Sequence, residues 1–324
     1  MDVQILAPTA VKDYPQTWNE FLDWFSTEDD CLAYLERLRW DSNFVCPKCG
    51  GIGEAYRASR TRLMCRGCQH QTTVTAGTIF DKTRTPLRVW LAAAWYLTNQ
   101  KQGVSALGLQ RVLGLGSYQT AWTMLHRFRR AMVRPGRDQL KGVVEVDETY
   151  MALTDREDPP IKTGRKRSTS KLLVAVAVEL LEPKGFGRIR LRRIPKASAQ
   201  YLIPFVQESI EPGAQVRTDG AAAYKPLKDL GYDHQRTVML GSDVPAHVSM
   251  AGVHRVAALV KRWILGTHHG SVQPEHLDAY LDEFVFRFNR RTSGSRGMLF
   301  YRLLQQAVVT APVTYADVIQ SSAS

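Results

Sequence analysis

Four of the five cysteines constrain this chain more than any other feature. Cys46 and Cys49 stand in Cys-Pro-Lys-Cys-Gly, Cys65 and Cys68 stand in Cys-Arg-Gly-Cys, and 15 residues separate the pairs. Two residues between thiolates, in a tight turn, let both sulfurs reach one ion, and two such turns complete the tetrahedron that zinc prefers. Because all four positions are Cys, no place is left for water. The expectation is one structural Zn²⁺ whose binding energy folds residues 41–75. Cys31, on an apolar helical face with Leu32, Tyr34, Leu35 and Leu38, reads as core, and His70 as a surface residue rather than a ligand.

The segments flanking the cysteines have their own signatures. Residues 16–40 carry a helical apolar stripe, with Ser26 or Thr27 as a cap and acids at 28–30 to complement the helix start. Residues 71–80 alternate and read as short strands. From 86 to 132 the period is helical: 90–97, then 104–113, then, after Gly114, Gly116 and Ser117, a helix with Trp122, Leu125 and Phe128 beside Arg127, Arg129 and Arg130. That order fits a helix-turn-helix, with Gln119 and Thr120 meeting base edges and the arginines meeting phosphates. It fits a plain helical connector as well.

Charge indicates a partner. Residues 1–40 hold 8 acids and 3 bases, a net of −5, so the remaining 284 residues carry +17 toward the total of +12. Such an excess supplies sequence-independent phosphate contacts, which makes nucleic acid the leading partner. The longest apolar runs, 89–97 and 172–178, are less than half of the roughly 20 residues a membrane span needs. No membrane partner is expected, and the cytosol is the expected location.

The chemistry falls in the third region, from about 142 onward. A β-branched run, Val143-Val144-Glu145-Val146, ends in Asp147-Glu148-Thr149-Tyr150, as if a buried strand delivered Asp147 to its exposed end. A basic, Pro/Gly-rich stretch at 159–171 follows, with Arg165, Lys166 and Arg167, and reads as a mobile, DNA-contacting loop. Residues 172–181 are a central-strand candidate. Arg188, Arg190 and Arg192 then alternate with Ile189 and Leu191, putting three guanidiniums on one strand face that suits a DNA backbone. A helix at 199–210 precedes a short strand at 214–218 that ends in Asp219-Gly220. Arg287, Arg290 and Arg291, beside Phe284, Phe286 and Phe288, are either a DNA clamp or a solvated face. Glu145 shares the strand face of Asp147 and reads as ion-paired.

This order of elements resembles the ribonuclease H-like fold of DDE transposases and retroviral integrases. Beyond the fold, Cys-Pro-Lys-Cys with Cys-x-x-Cys, Val-Asp-Glu-Thr-Tyr, Thr-Asp-Gly, Lys-Arg-Trp-Ile-Leu-Gly-Thr-His-His-Gly and Glu-Phe-Val-Phe-Arg-Phe-Asn-Arg-Arg resemble the IS1595 family. These are bacterial insertion-sequence transposases that join a zinc ribbon to a DDE-type core, and the match runs from about 20 to 308. The implied fold class is multi-domain α+β: a small zinc ribbon and a helical region, followed by an α/β ribonuclease H-like catalytic domain. The expected boundaries are 1–40 for an acidic helical segment, 41–80 for the ribbon, 81–138 for the helical DNA-binding region, 139–308 for the transposase domain and 309–324 for a tail.

The resemblance implies that Asp147 and Asp219 are the first two metal-holding carboxylates, binding two Mg²⁺ or Mn²⁺. A third ligand on a later helix, seven residues before a Lys or Arg, falls on His254 with Lys261 as the partner. His254 lies 35 residues after Asp219, and a seven-residue step puts it and Lys261 on one helical face. Glu283 is the rival third acid. The implied function is metal-dependent cleavage at insertion-element ends and strand transfer into target DNA, with double-stranded DNA as partner and a homo-oligomer in the DNA complex. Two other readings stay open: an inactive transposase that only binds DNA, and a structure-specific nuclease of the same fold.

Overall fold

The computed structural model describes residues 8–41, 43–154, 169–237, 250–269 and 272–320, without the side chains of 154, 169, 170 and 320. The chain forms two compact units, Met1–Arg134 with Ser293–Ser321, and Pro135–Thr292 with Ser322–Ser324. The basic stretch with Arg165, Lys166 and Arg167 lies outside the described residues.

The first unit begins with two helices where one stripe was expected. α1 (Trp18–Trp24) is capped by Thr17, and α2 (Glu28–Arg39) by Thr27, whose side chain and that of Asp30 form a reciprocal capping box. Phe25 leaves the helical conformation between them. Cys31 is fully buried, as the stripe predicted. The ribbon follows as β1 (Phe44–Val45) paired with β2 (Ile52–Gly53), then an antiparallel sheet of β3 (Ala55–Arg57), β4 (Arg62–Cys65) and β5 (Gln71–Thr73). Its apolar core is small, centred on Phe44, Leu63, Cys46 and Cys65. A core that small needs a second source of stability.

Strand structure stops at Thr73, short of the expected 80, and Ile79 and Phe80 are fully buried instead. α3 (Leu87–Asn99) has no cap of its own. Glu28, from α2, accepts the Leu87 and Arg88 N–H groups at 2.6 and 3.2 Å. α4 (Ala106–Leu113) ends at Gly114, at φ +61°, and Ser117 caps α5 (Tyr118–Ala131). Left-handed backbone at Gly114 is what turns the chain so sharply between two packed helices.

The second unit is built on a five-stranded sheet. β6 (Val143–Thr154), β7 (Thr169–Leu180) and β8 (Phe186–Ile194) form an antiparallel meander. α6 (Ala199–Ser209) crosses back, so that β9 (Gln215–Asp219) joins β6 in parallel and β10 (Asp233–Thr237) joins β9. The order is β10-β9-β6-β7-β8, the ribonuclease H-like topology the sequence implied. A 3₁₀ helix, Ala222–Leu227, follows β9. α6 covers one sheet face, while α7 (Ala251–His268) and α8 (Leu277–Phe288) cover the other. β7 is therefore buried on both sides, which explains its unbroken apolar run.

The chain then returns to the first unit with α9 (Arg296–Ala307) and α10 (Tyr315–Gln320). Phe300 of α9 packs among Phe21, Phe25, Tyr34 and Trp95, at ring-centroid distances of 5.4 to 6.2 Å. Residues 296–307 thus complete the first unit's aromatic core, although the sequence had grouped them with residues 139–308. A helix stripe tells that a face is apolar, not which core receives it.

Candidate active site

Strand register brings the two aspartates together. β6 and β9 pair as Val143↔Gln215, Val144↔Val216 and Glu145↔Arg217. Carried two residues further, that register sets Asp147 beside Asp219. The ladder itself stops at Glu145, yet β6 runs on to Thr154, so Asp147 lies in mid-strand and not at its exposed end. Alternation puts Asp147 on the α7 side of the sheet and Glu148 on the α6 side.

Side chains and backbone beyond the ladder hold the pair in place. Asp147 Oδ1 accepts the Glu148 N–H at 2.8 Å, and Asp219 Oδ1 accepts the Ala221 N–H at 3.0 Å. The Tyr224 hydroxyl, fully buried in the 3₁₀ helix after Asp219, donates to Glu148 Oε1 at 2.8 Å. That bond ties the segment carrying Asp219 to β6 one residue past Asp147. Burial and the nearby Asp219 hold the Asp147 carboxyl above its ordinary range. Burial, reinforced by Asp147 and Asp219 against the Tyr224 bond, pushes Glu148 up to about 7. Three carboxyls crowded this way repel one another, a situation a cation relieves.

α7 brings the third group. Glu145 is 3% exposed and makes no salt bridge among the described residues, contrary to expectation; its Oε2 accepts the Val253 N–H at 3.0 Å. A buried carboxylate at the positive end of α7 satisfies an orphan donor and favours the macrodipole. His254 is the next residue. Its Nε2 is buried without a hydrogen-bond partner among the described residues. His254, Asp147, Glu148, Thr149 and Lys261 share the lining of a cavity of about 230 Å³. Asp219 does not line it but acts electrostatically on both Asp147 and Glu148. Lys261 is exposed two turns along α7, on the face the seven-residue spacing predicted. Among the described residues only the ribbon cysteines bring three or more ligand atoms close enough for one ion; carboxylates and an unpartnered imidazole nitrogen are nevertheless donor types that divalent ions such as manganese and, for the oxygens, magnesium take.

Glu283 is placed elsewhere. It is 0% exposed and ion-paired with Arg287 at 2.9 Å within α8, and it does not line the cavity.

Most arginines expected to meet DNA are committed to the protein. Arg188 binds Glu179 at 2.9 Å and the Gln139 carbonyl at 2.8 Å. Arg190 is 4% exposed, donates to the Ile189 and Asp138 carbonyls, and is lowered to about 10 by burial. Arg192 pairs with Glu208. Arg290 and Arg291 lie over the Phe286 and Phe288 rings at 4.1 and 3.9 Å, and Arg291 donates to the Phe186 and Gly187 carbonyls. These side chains staple α6, α8 and residues 138–139 to β8. In the first unit, Arg129 is 1% exposed and Arg127 donates to the Ile79 and Val313 carbonyls at 2.9 and 2.7 Å. Arg130 alone of that trio is exposed, as is Gln119 at the start of α5.

The four ribbon cysteines offer sulfurs that all lie within 4.8 Å of one another, as one tetrahedral ion requires. Backbone N–H groups, chiefly that of Cys49, pull the Cys46 thiol down to about 6, which favours the thiolate a metal binds.

Sequence reasoning did not find Tyr224 or the capping role of Glu145. Tyr224 stands five residues after Asp219, where no periodicity marks it. Glu145 carried a usable signal, an acid at an inward strand position.

Residues 139–289 match the ISXO2-like transposase domain, and residues 26–71 match the transposase zinc-ribbon domain. An uncharacterized protein in transposable element ISH50 of Halobacterium salinarum is 27% identical over 283 residues, 81% of this chain and 91% of that protein. The catalytic core domain of BIV integrase is similar at 16% identity and a TM-score of 0.31, over 48% of this chain and 89% of that one. With the zinc ribbon and the DDE-type domain both matched, in that order, the chain belongs to the IS1595 family of insertion-sequence transposases.

Proposed function

We propose that this transposase cuts DNA at the ends of an insertion element and joins the freed 3′ ends to target DNA, using Asp147, Asp219 and His254. The observation that supports the reading is that Asp219, at the end of β9, and His254, on α7 with its Nε2 unpartnered among the described residues, both act electrostatically on Asp147 of β6. Asp147 and Asp219, with His254 Nε2, would hold two Mg²⁺ or Mn²⁺, which when bound supply an activated nucleophile and neutralise charge on the leaving oxygen. Lys261 donates to a non-bridging oxygen of the scissile phosphate and orients it over Asp147. Tyr224, through Glu148, fixes the separation of the two aspartates. Glu145 fixes the first turn of α7, and so the imidazole.

The bonds balance without an energy source. Water adds to phosphorus as the bond to a 3′ oxygen breaks, leaving a 3′-hydroxyl and a 5′-phosphate. That hydroxyl then attacks a target phosphodiester, forming one phosphorus–oxygen bond for each one broken. Double-stranded DNA is the substrate, and a homo-oligomer is expected because two element ends react together. Arg130, Gln119 and the ribbon are the proposed contacts of the first unit. Among the described residues no helix is long and apolar enough to cross a membrane.

The test incubates purified protein with element-end oligonucleotides, a target plasmid and Mg²⁺ or Mn²⁺, comparing wild type with Asp147→Ala, Asp219→Ala and His254→Ala. Joined product lost in all three variants is the expected result. Cleavage without joining would make the protein a nuclease, and DNA binding with no metal-dependent chemistry would make it a binding protein; either outcome refutes the proposal.

A further inference from the structure

Tyr150 closes the Asp-Glu-Thr-Tyr motif, and the proposed chemistry makes no use of it. Tyr150 is 62% exposed, on the strand face opposite to that of Met151 and Leu153, which are buried. Beside it opens a groove of about 690 Å³, floored by Leu173 and Ile194 and edged by Lys171, Arg193 and Lys196, with Asp278 the one acid in its lining. Tyr150, Leu173 and Ile194 are register partners, one row across β6, β7 and β8. Arg193 is held by Asp278 at 3.3 Å and by the Pro274 carbonyl at 3.1 Å. Lys171 and Lys196 make no ion pair among the described residues, so their charge is available. α6 starts three residues after Lys196 without a side-chain cap, and its N-terminal dipole adds to the positive field there.

An aromatic face, an apolar floor and free cations on the rim suit a nucleotide, whose base stacks while its phosphates meet the amines. An apolar peptide would make no use of the lysines, nor an acidic one of the ring. Tyr150 is three residues past Asp147, about 10 Å at roughly 3.3 Å per strand residue. That is about three base steps at roughly 3.4 Å each. Tyr150 lies on the opposite pleat from Asp147, but among the described residues β6 has no ladder partner on its β9 side beyond Glu145. A strand of DNA leaving Asp147 reaches the groove around that edge.

We propose that this groove seats a nucleotide within about three positions of the reacting phosphate, its base unpaired and stacked on Tyr150 and its phosphate against Lys171 and Lys196. A base must leave its duplex partner to lie flat on a ring, so the groove selects DNA that is opened beside the cleavage point. The inference rests on Asp147 marking that phosphate.

The test titrates full-length protein, with no added divalent ion, into a short single-stranded oligonucleotide carrying one 2-aminopurine, and into its duplex. Wild type should bind the single strand and quench its fluorescence. Tyr150→Ala should weaken that binding by about 5- to 150-fold and abolish the quench. Tyr150→Phe should keep both, and Lys196→Ala should weaken binding while keeping the quench. Affinity of Tyr150→Ala equal to wild type, an absent quench in wild type, or equal loss in Tyr150→Phe overturns the proposal. So does a concentration-dependent dimer that Tyr150→Ala dissolves, which would mean that a second copy covers the groove. Asp147→Ala is expected to retain the quench and lose cleavage. A protein that quenches but never cleaves would refute the catalytic reading and leave the groove standing.

Discussion

Replacing Gly252 with Ala puts the docking of α7 to a direct test. A Cβ at this position would lie 2.8 Å from Glu145 Oε2, 3.0 Å from Leu180 Cδ2 and 3.4 Å from Glu145 Cδ. The carboxylate must move, and it is the group that accepts the Val253 N–H. In an open helical position, Ala gains about 1 kcal/mol over Gly. Here overpacking costs about 1–3 kcal/mol and the unpaired buried N–H about 1–3 kcal/mol more, so the losses prevail by roughly 1–5 kcal/mol. His254 is two residues on, and a tilt that relieves the clash carries its imidazole away from Asp147. Misplacement by about 1 Å costs on the order of a hundredfold in rate. Gly266, on the same helix with nothing within 4 Å of its Cβ position, is the control. Urea unfolding and single-turnover cleavage should show Gly252→Ala destabilised and slow, with Gly266→Ala slightly stabilised and active. If Gly252→Ala unfolds at the same urea concentration as Gly266→Ala, α7 does not depend on this contact.

Four other substitutions address the remaining assignments. Tyr224→Phe removes the donor to Glu148; it should cost about 1 kcal/mol and raise the divalent-ion concentration giving half-maximal cleavage, and an unchanged metal requirement would count against the brace. Burial pushes the Asp282 carboxyl from 3.8 up to about 7, against the pull of Arg137. Its folded pKa is raised, so its contribution is present below about pH 4 and lost as pH rises through about 7. Asp282→Asn should flatten thermal stability over that window and stabilise the protein at pH 8, within a bound of about 4 kcal/mol. Arg188→Ala leaves the buried Glu179 unpaired and should cost about 3–5 kcal/mol, while DNA affinity measured on the folded fraction stays as in wild type. Cys65→Ser should lower bound zinc measured by atomic absorption and loosen the ribbon, detectable as faster proteolysis within residues 41–75; retained zinc would refute the four-sulfur site.

The features legible in the sequence are those whose chemistry is short-range. The cysteine spacing places two thiolates in each of two turns, and the structure gathers all four sulfurs. A seven-residue step puts His254 and Lys261 on one helical face whatever surrounds the helix. The order of strands and helices matched the β9-β6-β7-β8 part of the sheet, whereas the edge strand β10 had no counterpart in the sequence reading.

What the sequence misjudged depends on neighbours far along the chain. Alternation correctly grouped Arg188, Arg190 and Arg192, but the groups that meet them, Glu179, Glu208 and the carbonyls of 138 and 139, come from other elements. The same holds for Arg127, which is tied to carbonyls 48 and 186 residues away, and for Phe300, whose aromatic cage belongs to the first unit. Glu145 looked like an ion-pair partner and is a helix cap. By itself, then, the sequence determined which residues can ligate, and on which helical face or strand pleat each one lies. Only the tertiary structure decided which charges are spent on the fold and which remain for a ligand, because a charged group's fate is set by the burial and partners it meets across space.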